Sequence, residues 1–132
     1  MSTIKQFEDL EIWQKARSLY QKIIAITKKE EVHKNFRFCS QIKEAAGSVL
    51  DNIAEGFERD SRLEFIQFLS ISKGSLGEVR SQLYRAIDEG YINNEEQIEL
   101  NQECKLLGAD IGNFIRYLNQ SNIKGQKFLG RN

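Results

Sequence analysis

The amino-acid sequence predicts an all-α protein, an antiparallel up-down-up-down four-helix bundle. Four segments repeat apolar residues at alternating steps of three and four, the spacing of one helix face. The 132 residues include no proline, the residue that breaks helices most strongly. Only short polar joints separate the four segments, and short joints favour antiparallel neighbours. We expect residues 1–119 to form the bundle and residues 120–132 to form a mobile tail.

The first predicted helix covers about residues 9–29 and carries two apolar stripes. The main stripe faces the core and consists of Ile12, Ala16, Leu19, Ile23 and Ile26. A second stripe lies about 100° round the helix, by the period of 3.6 residues per turn. It consists of Trp13, Tyr20 and Ile24.

The second predicted helix covers about residues 36–57 and follows a polar loop at residues 30–35. Gly56 is its expected C-terminal stop, because glycine accepts the left-handed conformation that ends many helices. The main stripe consists of Cys39, Ile42, Ala46, Val49 and Ile53, and it is widened by Leu50, Ala54 and Phe57.

The third predicted helix, about residues 62–89, has the most regular pattern in the chain. Ser61 and Glu64 have the spacing of a capping box at its start, and Gly90 follows its end. Its stripe consists of Phe65, Leu69, Ser72, Leu76, Val79, Leu83 and Ala86.

The fourth predicted helix covers about residues 94–119. Asn93 and Asn94 are both suited to cap it, and Glu95 and Glu96 suit the positive end of its dipole. Its inward stripe consists of Leu100, Cys104, Leu107, Ile111, Phe114 and Leu118.

Four glycines fall inside the third and fourth predicted helices, where each costs about 1 kcal/mol relative to alanine. They are Gly74, Gly77, Gly108 and Gly112. Close backbone approach between helices, within one chain or between chains, is the expected compensation.

The apolar surface of the first two helices is wider than one core face requires. One bundle can bury only part of it, and contiguous exposed apolar patches usually mark interfaces. The pattern therefore predicts a homo-oligomer. The candidate interface residues are Trp13, Tyr20, Ile24, Leu50 and Phe57.

Composition narrows the classes of function. The chain has 19 Lys and Arg against 19 Asp and Glu, whereas a dedicated non-specific DNA-coating protein is basic overall. The sequence offers no apolar signal core and no membrane-length apolar run, so we expect a soluble cytoplasmic protein. Cys39 and Cys104 lie on inward stripes and are expected to be small core residues, with a disulfide as the alternative.

No arrangement of residues indicates catalysis. His33 is the only histidine and lies in the predicted loop, so no oriented base and nucleophile pair is evident. Glu95, Glu99 and Glu103 share one helix face, but carboxylate di-iron bundles also need helical histidines. The sequence therefore predicts a protein that is not an enzyme and that uses no cofactor or metal.

A basic arc on the third predicted helix is the candidate nucleic-acid site. Arg62, Lys73 and Arg80 project within a narrow arc beside Ile66 and Tyr84. Such cations can hold phosphate while an aromatic ring stacks on a base. Ordinary salt bridges to acidic neighbours are the alternative interpretation.

Two polar residues near the end of the second predicted helix have alternative interpretations. Asn52 is expected to hydrogen-bond across to a neighbouring helix, and Glu55 to face solvent or pair with a basic residue. The alternative is that both belong to a partner-binding surface.

Several separated sequence blocks resemble the four-helix-bundle proteins of the 23S rRNA intervening-sequence family. The resemblance covers about residues 5–119. The blocks are Phe7-Glu8-Asp9-Leu10 with Trp13 and Lys15-Ala16, Ser40-Gln41-Ile42, Asn52-Ile53-Ala54-Glu55-Gly56, Glu64-Phe65-Ile66, Phe68-Leu69, Gly74-Ser75 with Glu78, Gln82-Leu83 and Gly90-Tyr91-Ile92.

This resemblance implies a bacterial protein and extends to the accessory protein of diversity-generating retroelements. By that similarity we expect a homopentameric ring that binds RNA or DNA and a protein partner. A protein–protein adaptor that binds no nucleic acid is the alternative function.

Overall fold

The computed structural model describes residues 4–120 and contains five α-helices in that part of the chain. The predicted mobile tail at residues 120–132 lies outside the described residues except for Gln120, which ends the last helix. A single 3-10 turn, Phe7–Asp9, precedes the first helix. The helices are α1 (Glu11–Thr27), α2 (Glu30–His33), α3 (Phe36–Glu58), α4 (Arg62–Asp88) and α5 (Asn94–Gln120).

The four long helices form a closed antiparallel bundle in which each packs on two neighbours. The order round the bundle is α1, α3, α4, α5 and back to α1. Hydrogen bonds fix the directions, because residue numbers rise on one helix as they fall on the next. Between α3 and α4, Ser72 bonds to Val49 and Arg85 bonds to Gln41. Between α4 and α5, Arg62 bonds to Leu118 and Arg80 bonds to Asn101. Between α1 and α5, Lys15 bonds to Asp110 and Lys22 bonds to Glu103. The predicted fold class is confirmed.

The core contains the residues of the predicted main stripes almost without exception. Phe114 is the one member that remains half-buried rather than buried. Phe57 and Phe65 meet edge to face with ring centroids 6.2 Å apart, and both are fully buried. The prediction that Phe57 lies on an exposed interface stripe is therefore wrong, because its own chain covers it completely.

The predicted helix ends are close to the observed ones because local side chains fix them. Ser61 accepts a hydrogen bond from the Glu64 backbone N–H at 3.2 Å, as a helix N-cap does. Asn93 and Glu96 form a reciprocal capping box at the start of α5. Gly90 adopts φ +78 after α4, and the following Tyr91 N–H donates to the Ala86 carbonyl, as in a Schellman motif.

Gly56 does not end α3, which continues to Glu58. It lies where α3 and α4 touch, and a Cβ there would stand 2.7 Å from Phe68 Cβ. Gly74 and Gly77 have no such neighbour, since nothing lies within 4 Å of a Cβ built at either. Close approach is therefore the reason for Gly56. For the two α4 glycines, close approach within the chain was wrongly predicted, and approach between chains stays a prediction.

Two further local predictions were wrong. The predicted loop at residues 30–35 contains the one-turn helix α2, whose Val32 is fully buried beneath α1 and α3. Asn52 donates to the carbonyl and the hydroxyl of Ser48, both at 2.8 Å, one turn back on its own helix. Glu55 pairs with Arg59 at 3.2 Å, as expected of a residue that faces solvent or a base.

Cys39 and Cys104 are both free and buried. Burial raises the pKa of the Cys104 thiol from 9.0 to about 12, with a smaller contribution from Glu103. Because the folded state keeps this proton longer than the unfolded state, its contribution to stability is full below about pH 9 and is lost as the pH rises toward 12.

We expect Cys104→Ala to remove part of the loss of stability at alkaline pH. The measurement is urea denaturation of both proteins at intervals from pH 8 to 11. The free energy of unfolding of the wild type should fall more steeply than that of the variant. Equal slopes would contradict the assignment.

Candidate functional site

Salt bridges link α1 to α5 along one edge of the bundle. Lys15 pairs with Asp110 at 2.8 Å, and Lys22 pairs with Glu103 at 2.6 Å. Lys29 extends the ladder to Glu96 at 3.4 Å. The hydrogen bond that Lys15 donates to Asp110, with a second to Glu11, raises the pKa of Lys15. This edge therefore neutralises its own charges and holds the two helices in register.

The groove between α4 and α5 has the opposite character. Arg62 donates to the Leu118 carbonyl at 2.9 Å, and Arg80 Nε donates to Asn101 Oδ1 at 2.8 Å. Both candidate arginines are thus anchored by neutral oxygens of α5 and keep their full charge. Lys73, the third candidate, lies on α4 between them.

The register brings two further cations from α5 to this groove. A Cβ at Gly112 would stand 3.5 Å from Lys73 Nζ and 3.9 Å from a terminal nitrogen of Arg116. Lys105 is exposed and lies one turn along α5 from Asn101, on the same side of the helix. Sequence reasoning missed Lys105 and Arg116, because only the register between helices places them beside α4.

We call this surface the basic groove. It consists of Arg62, Lys73, Arg80, Lys105 and Arg116, with Tyr84 at one end. None of the five cations forms an ion pair with any carboxylate of residues 4–120. The alternative interpretation was that Arg62, Lys73 and Arg80 form salt bridges with acidic neighbours. The described residues contain no such salt bridge.

The dimensions of the basic groove suit an extended anion. Arg62 and Arg80 are 18 residues apart (80 − 62), or about 27 Å along a helix. That length matches about eight nucleotide steps of a duplex. The Tyr84 side chain is largely exposed, so its ring is open to stacking.

The four remaining interface candidates meet on the face between α1 and α3. Trp13 is partly covered by Phe7 of the 3-10 turn, with ring centroids 5.1 Å apart. Tyr20 packs over Gly47, where a Cβ would lie 3.5 Å from its ring. Leu50 is half-buried on α3. The chain's own N-terminal segment thus covers the Trp13 end of this face.

The other end of the same face is an open cleft of about 650 Å³. Ile24 and Thr27 of α1 line it together with Cys39 of α3. Phe36 stands beside it with 75% of its surface exposed. The cleft therefore remains available to a partner, as does a shallower and more polar pocket beside it that Tyr20 and Asp51 line.

The residues considered for catalysis have other roles in the fold. His33 is exposed on α2 and contacts Phe36 edge to face at 6.2 Å. Glu103 is occupied by its ion pair with Lys22. Within residues 4–120, no cluster of three or more His, Cys, Asp or Glu side chains could hold a metal ion. No helix of that region is long and apolar enough to cross a membrane.

The protein is thus a helical bundle with exposed surface grooves. Its described residues contain no recognisable reaction centre. The profile of the 23S rRNA-intervening sequence protein family matches residues 8–113, and the chain belongs to that family.

A solved structure shares the fold. It is a protein of unknown function of the S23 ribosomal protein family from Bacteroides thetaiotaomicron. The two chains are 23% identical and superpose with a TM-score of 0.73, over 80% of this chain and 95% of the other. No curated protein matches this chain.

Proposed function

We propose that this protein is a non-enzymatic homo-oligomeric scaffold that binds RNA or DNA along the basic groove. The observation that carries the proposal is the segregation of charge. The α1–α5 edge pairs its lysines with acids, whereas five cations of the basic groove have no acidic partner among the described residues.

Assembly explains how a chain of zero net charge would bind a polyanion. A single groove with five cations is a modest site. A ring that repeats the groove allows several weak contacts to engage one strand at once, and the resulting avidity can exceed the single-site affinity by orders of magnitude. The resemblance noted above favours a homopentamer.

The binding test uses Lys73→Glu with Lys105→Glu, two exposed groove residues whose side chains form no hydrogen bond or ion pair within residues 4–120. We expect the double variant to bind duplex DNA or structured RNA more weakly, with the slope of log affinity against log salt reduced by about 0.9 for each lost phosphate contact. Gel shifts at salt concentrations from about 50 to 200 mM measure this slope.

The matched control is Lys5→Glu with Lys34→Glu, which changes the net charge equally on exposed positions away from the groove. Its binding should lie closer to that of the wild type. Equal losses in the two double variants would indicate a general charge effect. Absence of any shift with the wild type at about 50 mM salt, where phosphate contacts are strong, would favour the protein–protein adaptor.

A further inference from the structure

We infer that copies of this chain join head to tail, with an acidic apolar ridge on α5 of one copy seated in the lysine-flanked cleft between α1 and α3 of the next. The inference rests on the proposed homo-oligomer and names the two faces that would build it. The cleft is not part of the basic groove, and the ridge borders that groove where Ile98 lies two turns from Lys105 on the same side of α5.

The cleft has an apolar floor and a basic edge. Ile24, Thr27 and Cys39 line it, and the exposed ring of Phe36 stands at its end. Lys28, Lys43 and Glu44 also line it. Glu44 accepts a hydrogen bond from Ser40, and neither lysine forms an ion pair within residues 4–120, so the edge keeps a net positive charge.

The ridge is the outward side of α5. Ile98 and Leu106 are two turns apart, and both are exposed, Leu106 by 58%. Glu95 and Glu99 lie on the same outward side by the helical period, and neither pairs with a cation of the described chain. The ridge thus carries apolar side chains with unneutralised acids.

The ridge and the cleft attract each other, whereas each would repel the same face of another copy. Placing the ridge in the cleft buries Leu106 and Phe36 together and brings Glu95 and Glu99 toward Lys28 and Lys43. Pairing ridge with ridge, or cleft with cleft, would place like charges together, which costs binding energy. The complementarity therefore selects a head-to-tail contact, and such contacts close into rings when the rotation permits.

Another exposed apolar pair is a weaker candidate for the ridge. Leu63 and Ile71 on α4 are also two turns apart and exposed. They lack the run of unpaired acids that α5 presents to the lysines of the cleft. Ile71 is 51% exposed, close to the value for Leu106, so it provides a matched control.

The test uses a ridge variant, Leu106→Glu, and a cleft variant, Phe36→Glu, each measured by light scattering on a size-exclusion peak. We expect each variant alone to lose assembly and to run near the mass of one 15.3 kDa chain. Ile71→Glu should assemble like the wild type. Mixing the two monomeric variants should give a complex of two chains, because one intact ridge and one intact cleft remain.

The other outcomes overturn the inference in distinguishable ways. A monomeric wild type removes the proposed assembly itself. An assembled wild type with both variants still assembled leaves the proposed function standing and refutes these two faces. Monomeric variants that stay monomeric when mixed refute the head-to-tail arrangement. Circular dichroism checks the fold, and Ile98→Glu and Lys28→Glu serve as second variants if either first one unfolds.

Discussion

Leu76→Ala is expected to lower the free energy of unfolding by about 2–5 kcal/mol, as large-to-small core substitutions do. Leu76 lies midway along α4, is only 2% exposed, and has its Cδ1 3.8 Å from where a Cβ on Gly108 would stand. Truncation would leave a cavity between α4 and α5 that the rigid helices can fill only partly.

Leu63→Ala is the matched control, since it makes the same substitution on the same helix at a side chain that is 63% exposed. We expect its effect to stay within about 0.5 kcal/mol, the usual range for surface changes. Urea denaturation followed by circular dichroism measures both. A loss below about 1 kcal/mol for Leu76→Ala would mean that its site collapses around the missing atoms.

Regular spacing made most of the fold predictable from the sequence. The four main stripes are the core, and the predicted long helices differ from the observed ones by at most two residues at either end. The helix ends could be predicted because capping is a local interaction. Ser61, Asn93 and Gly90 act on backbone groups within a few residues of themselves.

Contacts between helices were harder to predict, because the spacing of residues along one helix does not determine how that helix aligns with its neighbour. Lys105 and Arg116 looked like ordinary surface residues until the antiparallel pairing placed α5 beside Lys73. Phe57 looked like surplus apolar surface because the packing of α3 on α4, which buries it against Phe65, cannot be read from periodicity.

The α1–α3 face shows the same limit. Its second stripe was found by spacing, and Tyr20 and Ile24 do lie half-buried there. The N-terminal 3-10 turn that places Phe7 on Trp13 has no periodic signature, so the division of this face into a covered end and an open cleft came only from the structure.

Gly56→Ala is expected to destabilise the protein by about 1–3 kcal/mol, the range for overpacking a close contact. The added Cβ would meet Phe68 Cβ at 2.7 Å and Phe65 Cδ1 at 2.9 Å. Phe68 Cβ is attached directly to the α4 backbone and cannot rotate away, so the two helices must separate. The gain in helix propensity, up to about 1 kcal/mol, offsets only part of this cost.

Gly74→Ala is the paired measurement, because Gly74 is also inside a helix but nothing lies within 4 Å of an added Cβ. Here propensity acts alone, and we expect a gain of about 0.5–1 kcal/mol. Urea denaturation of the two variants should therefore give shifts of opposite sign. Two gains of similar size would show that α3 and α4 can separate at Gly56 without cost, and that close approach is not what glycine provides there.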